Sequence, residues 1–363
     1  MERKVFITLS NSLTAYADNL PSNEGRQSLI VSLHKAYKLY TQENVVAISP
    51  ISIKELTNYH DSEFINHLLK DRDIDEKLKD DERFGLMHDC YPFTNMKEYI
   101  TLVASSSLSI ASTVIEYGNE NIIGINWYGG RHHCQRAKCA GFCYINDIVL
   151  CINKLRRSSG TVFYLDLDLH HGDGIENAFK FSKKIITCSI HRYDVGFYPG
   201  TGKESSEGAY NIPTKKGLND DNMMWIINKI VSPLIKKFNP KYLVIQVGCD
   251  GLHSDKYKEW NLTIEGYSNI IQKIAETFKI PIILLGGGGY NHTEVAKCWT
   301  YITGKLLNKD TNSWDIIPEH TKLDSYEEDG FRFWTDENSS PRGMRDENDI
   351  QYLKELKEYI FNL

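Results

Sequence analysis

Residues 164–174 read YLDLDLHHGDG and place three carboxylates and two imidazoles within eleven residues. They continue the apolar run 160–163, which is typical of a buried strand, so Asp166, Asp168 and His170 are expected on one face of the extended chain. A carboxylate and an imidazole two residues apart can bind one divalent cation and, with a third protein ligand, leave a fourth position open for water. The alternative is a group of solvated loop or helix-capping residues. We favour a metal centre, because charges beside apolar sequence must pair or bind a metal.

Three other segments carry polar groups directly after apolar runs. Adjacent His132 and His133 follow two glycines at the end of one run, and Tyr290 ends a series of four glycines after another. Asp250 follows the largely apolar residues 244–247 (VIQV) and is a natural third metal ligand. Each segment alone has an ordinary explanation as a surface pair, a flexible loop or the start of a turn. Since the carboxyl ends of parallel strands meet at one edge of a sheet, the segments together predict one active site.

Composition indicates a large α/β protein. The chain has 363 residues, 41% hydrophobic and 25% charged, and we expect one domain over residues 1–363. The net charge of −6 disfavours a general nucleic-acid binder and suits an enzyme with a cationic substrate. Eight cysteines without a C-x-x-C pair, and no signal-peptide pattern, predict a reduced intracellular protein. No apolar run is expected to approach the ~20 residues that span a bilayer.

Strand and helix patterns alternate along the chain, which predicts a mainly parallel sheet covered by helices. The predicted strands are 4–9, 45–48, 121–126, 161–165, 184–189, 242–247 and 280–285. The predicted helices are 25–40, 96–117, 146–157, 221–237, 264–278, 293–307 and 348–361. The polar stretches 71–83 and 324–347 are interpreted as surface loops.

Six motifs, in order along the chain, resemble the signature of the class I zinc-dependent histone deacetylases. They are residues 127–133 (WYGGRHH), 141–147 (GFCYIND), 166–174, 196–202 (GFYPGTG), 248–250 (GCD) and 286–290 (GGGGY). The resemblance implies an arginase/deacetylase α/β fold with about eight strands and an active site at their C-terminal ends. It implies hydrolysis of N-ε-acetyl-lysine, or of a longer acyl-lysine, in acetylated histone tails or other proteins. A role in chromatin and transcriptional repression, in the nucleus or the cytoplasm, is implied as well.

The resemblance assigns metal ligands. Asp168, His170 and Asp250 would bind Zn²⁺, with Fe²⁺ as an alternative in the cell. It also implies two sites for K⁺ or Na⁺. The first comprises Asp166, Asp168, His170, Ser189 and Ile190, and the second comprises Phe179, Ser182 and Ile185.

Catalytic roles are implied in the same way. His133 would act as general base and then as acid to the leaving amine, with His132 as its electrostatic partner. Asp166 would orient His132, and Asp173 would orient His133, each through the other ring nitrogen. Tyr290 would donate its hydroxyl to the oxyanion.

Substrate contacts also follow from the resemblance. Phe142 and Tyr198 would form the walls of a tunnel around the lysine methylenes. Asp89 would bind the substrate backbone at the rim. Arg26 resembles an arginine that lines an internal exit channel for acetate, the alternative being a charge on a helix surface. The other implied contacts are Gly141, Tyr257 and Gly288.

The chain departs from the family pattern at several positions. Arg131 replaces an apolar or aromatic residue, and Tyr257 stands where Leu or Met is usual. The segment between residues 202 and 211 is shorter, so a tyrosine contribution from that loop is not expected. Thr293 stands where corepressor-bound relatives carry an arginine for an inositol phosphate, so neither an obligatory corepressor nor an inositol phosphate is expected as a partner.

Other functions remain open. Deacetylation of an acetylpolyamine would require an acidic group at the rim, where Glu259 is near. A noncatalytic chromatin-binding scaffold would be favoured by a lost metal ligand or a lost Tyr290, and all are present. A binuclear arginase-like hydrolase would need further carboxylates. Cys134, Cys139 and Cys143 could hold a structural zinc, but their spacing favours ordinary reduced thiols.

Overall fold

A sheet of eight parallel strands organises the chain. The computed structural model describes residues 3–118, 121–158, 160–341 and 343–363. Within these ranges the strands are β1 (Lys4–Thr8), β2 (Val45–Val46), β3 (Ile122–Asn126), β4 (Val162–Asp166), β5 (Ile185–Arg192), β6 (Ala209–Thr214), β7 (Tyr242–Gln246) and β8 (Ile282–Leu285). Their order is β2-β1-β3-β8-β7-β4-β5-β6, and each neighbouring pair is parallel. The expected α/β fold with a parallel central sheet is confirmed.

Helices cover both faces of this sheet. The described helices are α1 (Asn11–Ala17), α2 (Arg26–Ala36), α3 (Ile53–Leu56), α4 (Ser62–Leu68), α5 (Met96–Glu116), α6 (Asp147–Arg157), α7 (Asp173–Phe179), α8 (Asp220–Ile226), α9 (Ser232–Phe238), α10 (Ile264–Thr277), α11 (His292–Leu306), α12 (Asp336–Ser339) and α13 (Ile350–Phe361). Phe163 of β4 packs in the same apolar cluster as Leu33 of α2. The next residue, Tyr164, packs in the cluster of Ile110 of α5 on the opposite face. Because successive side chains alternate between two buried faces, the strands read as continuous apolar runs.

Helix α5 corrects one expectation from the sequence. By length and composition it could cross a membrane, and 67% of its most apolar window is buried inside the protein. The prediction that no apolar run approaches this length was therefore wrong for this segment. The helix packs against α6 and β3, so its composition is that of a core helix.

Most predicted elements occur within a few residues of their expected bounds, but β6 was missed. Its sequence contains Pro213, which has no N–H to donate to a neighbouring strand, and β6 lies at the edge of the sheet where a proline is tolerated.

The helix predicted over 221–237 is interrupted by a π-helical segment, Ile227–Val231. The stretch 324–347 includes the short helix α12 rather than loop alone. Helices of four to seven residues, such as α3 and α7, are too short to show a helical period.

We expect Gly124→Val to destabilise the fold. A Cβ atom at Gly124 of β3 would lie 2.6 Å from Cγ1 of Ile110 on α5. Overpacking of this kind lowers the free energy of unfolding by about 1–3 kcal/mol, which urea denaturation would measure. The double variant Gly124→Val/Ile110→Ala should recover part of the loss because it makes room for the added side chain. A Gly124→Val protein as stable as the wild type would contradict this packing.

Candidate metal centre and active site

Three buried side chains with metal-binding atoms meet at the carboxyl edge of the sheet. Among the described residues, Asp168, His170 and Asp250 form the one such group, with ligand atoms within 4.8 Å of one another. His170 Nδ1 lies 2.9 Å from Asp250 Oδ2 and 3.4 Å from Asp168 Oδ1. Strand β4 ends at Asp166, so Asp168 and His170 lie in the following loop and not on the strand itself, as the alternation had suggested. The three predicted ligands nevertheless come together.

Neutral donors orient both carboxylates of this triad. Gln246 Nε2 donates to Asp168 Oδ2 at 2.7 Å, and the Gly288 backbone N donates to the same oxygen at 2.9 Å. The Leu169 backbone N donates to Asp250 Oδ1 at 3.0 Å. These bonds hold the oxygens in place without neutralising them. The carboxylates are therefore preorganised around a position for positive charge.

Electrostatics show that the triad fits a divalent cation. Burial and the charge of Asp168 raise the pKa of Asp250 to about 7. Burial opposes protonation of His170, but hydrogen bonds to Asp168 and Asp250 outweigh it and raise its pKa to about 10. Two carboxylates with 1% and 0% exposed surface thus require a metal ion or a proton, either on the imidazole or on Asp250 itself. A cation on these donors would replace that proton and leave His170 neutral, the form that binds metal.

Two histidines beside the triad have different protonation preferences. His132 Nδ1 donates to Asp166 Oδ2 at 2.9 Å, and His133 Nδ1 donates to Asp173 Oδ1 at 2.7 Å. Burial disfavours the charged form of His132, but the charges of Asp166 and Asp168 prevail and raise its pKa to about 9. Burial, followed by the charge of His132, lowers the pKa of His133 to about 4.

This difference is chemically useful. The N–H of each Nδ1 is held by a carboxylate, so Nε2 of neutral His133 carries a free lone pair. His133 can therefore accept a proton near neutral pH, while His132 supplies positive charge. A divalent cation on the triad would offset part of the effect of Asp168 on His132.

Tyr290 lies close to the triad and keeps its proton. Burial, and then the charges of Asp250 and Asp168, raise the pKa of Tyr290 well above its usual value. Its backbone N donates to Asp255 Oδ2 at 2.7 Å, and Asp255 is itself buried. A hydrogen bond to this carboxylate positions the end of the glycine run that carries the phenol. Tyr290 is thus a neutral hydrogen-bond donor at a place where negative charge can develop.

A cavity of about 220 Å³ leads to these groups. Its walls include the predicted tunnel residues Phe142, Tyr198 and Tyr257 together with His133 and Tyr290. The ring of Tyr198 meets His133 edge-on with centroids 5.0 Å apart, and that of Phe142 meets Tyr290 at 5.8 Å. These aromatic walls suit an unbranched apolar chain.

Backbone conformation brings the tunnel loop against the histidines. Gly141 has φ of +54°, and a Cβ atom there would lie 2.3 Å from Cδ2 of His133. Only glycine allows this approach without displacement of the ring. The Gly141 backbone N donates to Asp89 Oδ2 at 2.8 Å, so the predicted rim carboxylate is tied to the same loop.

A larger cavity of about 570 Å³ adjoins the tunnel. Tyr257 lines both cavities, and its ring centroid lies 4.9 Å from that of His170 and 5.2 Å from that of Tyr290. Tyr257 therefore lies, with Phe142 and Tyr290, between the tunnel and a neighbouring space that Glu24 and Lys256 also line.

Arg26 is an internal side chain. It is 1% exposed, which excludes the alternative of a charge on a helix surface. Its Nη1 donates to the backbone oxygens of Gly287 and Gly289 at 3.1 and 2.9 Å. Arg26 thus supports the glycine run that precedes Tyr290, which places it near the site without contact to the triad.

The residues predicted to bind monovalent cations are close in space. Asp166 of β4 and Ser189 of β5 are register partners, and Ile190 follows on β5. In the second set, Ser182 Oγ accepts a hydrogen bond from the Ile185 backbone N at 3.2 Å, and the Ser182 backbone N donates to Phe179 at 2.7 Å. Their role as cation sites stays a prediction.

The eight cysteines are free and buried. Among the described residues, Cys134, Cys139 and Cys143 do not form a group with metal-binding geometry. The structural-zinc alternative therefore has no support from the arrangement of these thiols.

Sequence reasoning missed the residues that orient the carboxylates of the site. Gln246 ends β7 two positions before the Gly-Cys-Asp motif, and Tyr164 Oη donates to Asp166 Oδ2 at 2.6 Å. Gln135 Nε2 donates to Asp173 Oδ2 at 2.8 Å. Gln246 is a polar residue inside an otherwise apolar strand, and this pattern in the sequence could have identified it as an orienting residue.

The triad predicts stoichiometric binding of a divalent cation. Adding Zn²⁺ to metal-free protein should raise its melting temperature, since a ligand at about 100 times its Kd stabilises the folded state by about 2.7 kcal/mol. Asp250→Ala should lose both the bound metal and this shift. The matched control is Asp315→Asn. Asp315 is an exposed carboxylate that forms an ion pair with Arg332. Stoichiometric metal in Asp250→Ala would contradict the assignment.

Comparison with known proteins agrees with this geometry. Residues 20–306 match the histone deacetylase domain family. Histone deacetylase HOS1 of Saccharomyces cerevisiae is 37% identical over 308 residues, which cover 77% of this chain and 65% of the yeast protein, just under two thirds of its length. Histone deacetylase 8 of Danio rerio is 34% identical over 364 residues, covering 98% and 93% of the two chains. Histone deacetylase 8 of Xenopus tropicalis is 33% identical over 356 residues, covering 94% and 93%. The resemblance to class I enzymes, and to histone deacetylase 8 among them, is confirmed, and the chain belongs to the histone deacetylase family.

Proposed function

We propose that this protein is a zinc-dependent lysine deacetylase that hydrolyses the amide of N-ε-acetyl-lysine in histones or other proteins. The observation that carries the proposal is the buried triad of Asp168, His170 and Asp250 beside two carboxylate-bound histidines. Water, a base, an oxyanion donor and an apolar tunnel for the substrate would meet at this point. Family membership supports the same activity.

The metal would be held by two carboxylates and one imidazole. This donor set accepts Zn²⁺ in tetrahedral geometry with a fourth position open, and Fe²⁺ also accepts nitrogen and oxygen ligands. When bound, a divalent cation supplies Lewis acidity toward the amide carbonyl and lowers the pKa of water. Gln246 and the Gly288 N–H would keep Asp168 oriented throughout.

Proton transfer is assigned to His133. Its lowered pKa keeps Nε2 unprotonated near neutral pH, so it can take a proton from the attacking water. The resulting imidazolium is stabilised by Asp173, which accepts from Nδ1 at 2.7 Å. The same proton then passes to the leaving amine of lysine. His132, whose pKa is raised, stays charged and assists electrostatically.

Oxyanion stabilisation is assigned to Tyr290. Because its pKa is raised well above the usual value, the phenol stays protonated and donates to the negative charge that forms on the carbonyl oxygen. The hydrogen bond from its backbone N to Asp255 would hold the phenol in position.

Substrate recognition is assigned to the tunnel and its rim. Phe142, Tyr198 and Tyr257 would enclose the lysine methylenes, with Gly141 and Gly288 allowing close approach. Asp89 uses one oxygen for the Gly141 N–H, which leaves the other for backbone amides of the substrate. The proposal also includes a role in chromatin and a nuclear or cytoplasmic location. It further includes independence from a corepressor and from inositol phosphate, and the two sites for K⁺ or Na⁺.

The rim of the tunnel favours an acetyl-lysine substrate over an acetylpolyamine. Glu259, the acidic residue considered for this role, pairs with Arg192 Nε at 3.0 Å and with Lys216 Nζ at 3.3 Å. A carboxylate that already binds two cations is poorly suited to hold a substrate ammonium. The scaffold alternative is also disfavoured, since the side chains proposed for metal binding and proton transfer lie close together.

Substitutions in the catalytic groups should separate their roles. His133→Ala and Tyr290→Phe should each lower kcat on an acetyl-lysine peptide by about 10²–10⁴-fold, because each removes an interaction made during the reaction. Zinc content should remain stoichiometric in both variants, as neither contacts the metal through a ligand atom. Wild-type turnover by either variant would refute the assigned mechanism, and faster hydrolysis of acetylpolyamines than of peptides would refute the substrate class.

Tyr257 should control access to the tunnel through its bulk. Tyr257→Leu would open the wall between the tunnel and the adjoining cavity. We expect kcat/KM for acetyl-lysine peptides with a bulky neighbouring residue to rise about tenfold, with little change for a small acetyl-lysine amide. Tyr257→Phe keeps the ring and should behave as the wild type. Equal behaviour of the Leu and Phe variants would contradict a steric role.

A further inference from the structure

Positive charge is concentrated at the edge of the sheet opposite the metal triad. Three segments lie there, residues 154–158, 180–184 and 236–241, which follow or end helices α6, α7 and α9 and precede strands β4, β5 and β7. Together they contain seven lysines, two arginines and no acidic residue. Seven of these nine side chains are exposed, and those of Lys154 and Lys241 are half-buried. We call the three segments the basic surface.

Strand pairing joins the segments into one surface. Strand β4 lies between β5 and β7, and the backbone N of Val162 donates to the backbone oxygen of Lys184 at 2.9 Å. The backbone N of Lys241 donates to that of Thr161 at 2.9 Å, and Lys241 Nζ reaches the backbone oxygen of Ser158 at 3.3 Å. Since neighbouring strands are about 4.8 Å apart, the backbones of Lys184 and Lys241 are about 10 Å apart across β4.

The basic surface extends over both faces of the sheet. Helices α6 and α7 pack in the apolar cluster of Tyr164, whereas α9 packs in that of Phe163 on the opposite face. Seven residues of extended chain separate Thr161 at this edge from Asp168 at the other, a distance of about 20 Å. A ligand on the basic surface would therefore leave the tunnel open.

These positive charges are not paired within the protein. Among the described residues, none of the nine forms an ion pair with a carboxylate. Arg157 Nη2 donates instead to the neutral Oδ1 of Asn58 at 3.1 Å. Exposed arginines elsewhere do pair, such as Arg83 with Glu63 at 2.9 Å. The basic surface thus keeps its charge available for a ligand.

Local structure offsets only part of this charge. Glu176 lies one turn before Lys180, but its carboxylate already binds His171 and Asn211, and Glu207 precedes the outer strand β6. Basic residues also compensate the negative ends of helix dipoles, which amount to about half a charge for each of the three helices. Subtracting two carboxylates and three helix ends leaves an excess of about five positive charges.

The chemistry of the surface favours a phosphate backbone as its ligand. Lysine is depleted in the cores of protein–protein interfaces but is a common partner of phosphate. Peripheral membrane binding requires a broad apolar face, and Phe181, 91% exposed, is the one large hydrophobic side chain of these segments that is exposed. Helix ends and short loops form the surface, so no helix is presented along its side to a groove for reading bases.

We propose that the basic surface binds the phosphate backbone of double-stranded DNA without sequence preference. Duplex DNA carries one negative charge for each 1.7 Å of its axis, so the roughly 10 Å between β5 and β7 spans about six phosphates. The net charge of −6, which disfavours a general nucleic-acid binder, is an average over the chain and does not describe this edge. The consequence that DNA holds the enzyme near histone tails rests on the proposed function.

Fluorescence anisotropy of a labelled duplex of mixed sequence, titrated with the zinc-loaded protein between about 50 and 200 mM salt, tests this proposal. The variants are Lys183→Gln/Lys184→Gln before β5 and Lys236→Gln/Lys237→Gln in the last turn of α9. Each contacted phosphate contributes about 0.9 to the slope of log K against log salt, so four lysines predict a wild-type slope of at least about −3.6. Each double variant should lose about 1.8 of this slope and bind at least about tenfold more weakly at about 0.1 M salt.

The matched control is Lys77→Gln/Lys79→Gln, which removes two exposed lysines from the loop 71–83 and should keep the affinity and slope of the wild type. Wild-type binding by either double variant on the basic surface would overturn the proposal, because the segments would then not act together. An equal loss in the control would overturn it as well, since only total charge would matter. A third contrary result is binding to vesicles of phosphatidylcholine and phosphatidylserine without binding to the duplex. Because the titration needs no turnover, its failure is separate from a failure of acetyl-lysine hydrolysis.

Discussion

The site depends on the cost of keeping two carboxylates, Asp168 and Asp250, next to each other away from water. Strands β4 and β7 are neighbours, with Asp166 opposite Gln246, so the loops that follow them carry both aspartates to the same point. Backbone N–H groups and Gln246 satisfy oxygens of both but leave their charge. A buried cation would stabilise this arrangement, and in the proposed function its open coordination position would make the site reactive.

The surrounding groups follow from the same constraint. Asp166 holds His132 and Asp173 holds His133. Both rings are buried, and the different charges around them push their pKa values apart. One ring is thereby suited to carry charge and the other to accept a proton. Burial, and then the charges of Asp250 and Asp168, raise the pKa of Tyr290 and keep its hydroxyl protonated. The acid, base and donor roles that we propose thus all derive from negative charge placed at the end of a parallel sheet.

Much of this could be predicted from the sequence because strand ends in a parallel sheet converge. Asp168, His170 and Asp250 each follow an apolar run, so the meeting of the three was expected without knowledge of strand order. The orienting contacts of Gln246 and Asp255 could not be predicted, since they depend on the separation of loops that are distant in sequence. Strand β6 was missed because Pro213 argues against a strand in the sequence, whereas an edge strand tolerates it. The burial of α5 could not be predicted from its apolar composition alone. Arg131 was recognised as a departure from the family pattern, but the structure was needed to show that it is buried and that its Nε has no hydrogen-bond partner.

X-ray absorption at the zinc edge of the zinc-loaded protein tests the central claim most directly. If zinc binds Asp168, His170 and Asp250, the first shell contains only nitrogen and oxygen at about 2.0–2.2 Å, with scattering from one imidazole. A shell of sulfur atoms at about 2.3 Å would instead place the metal on cysteines and contradict the account.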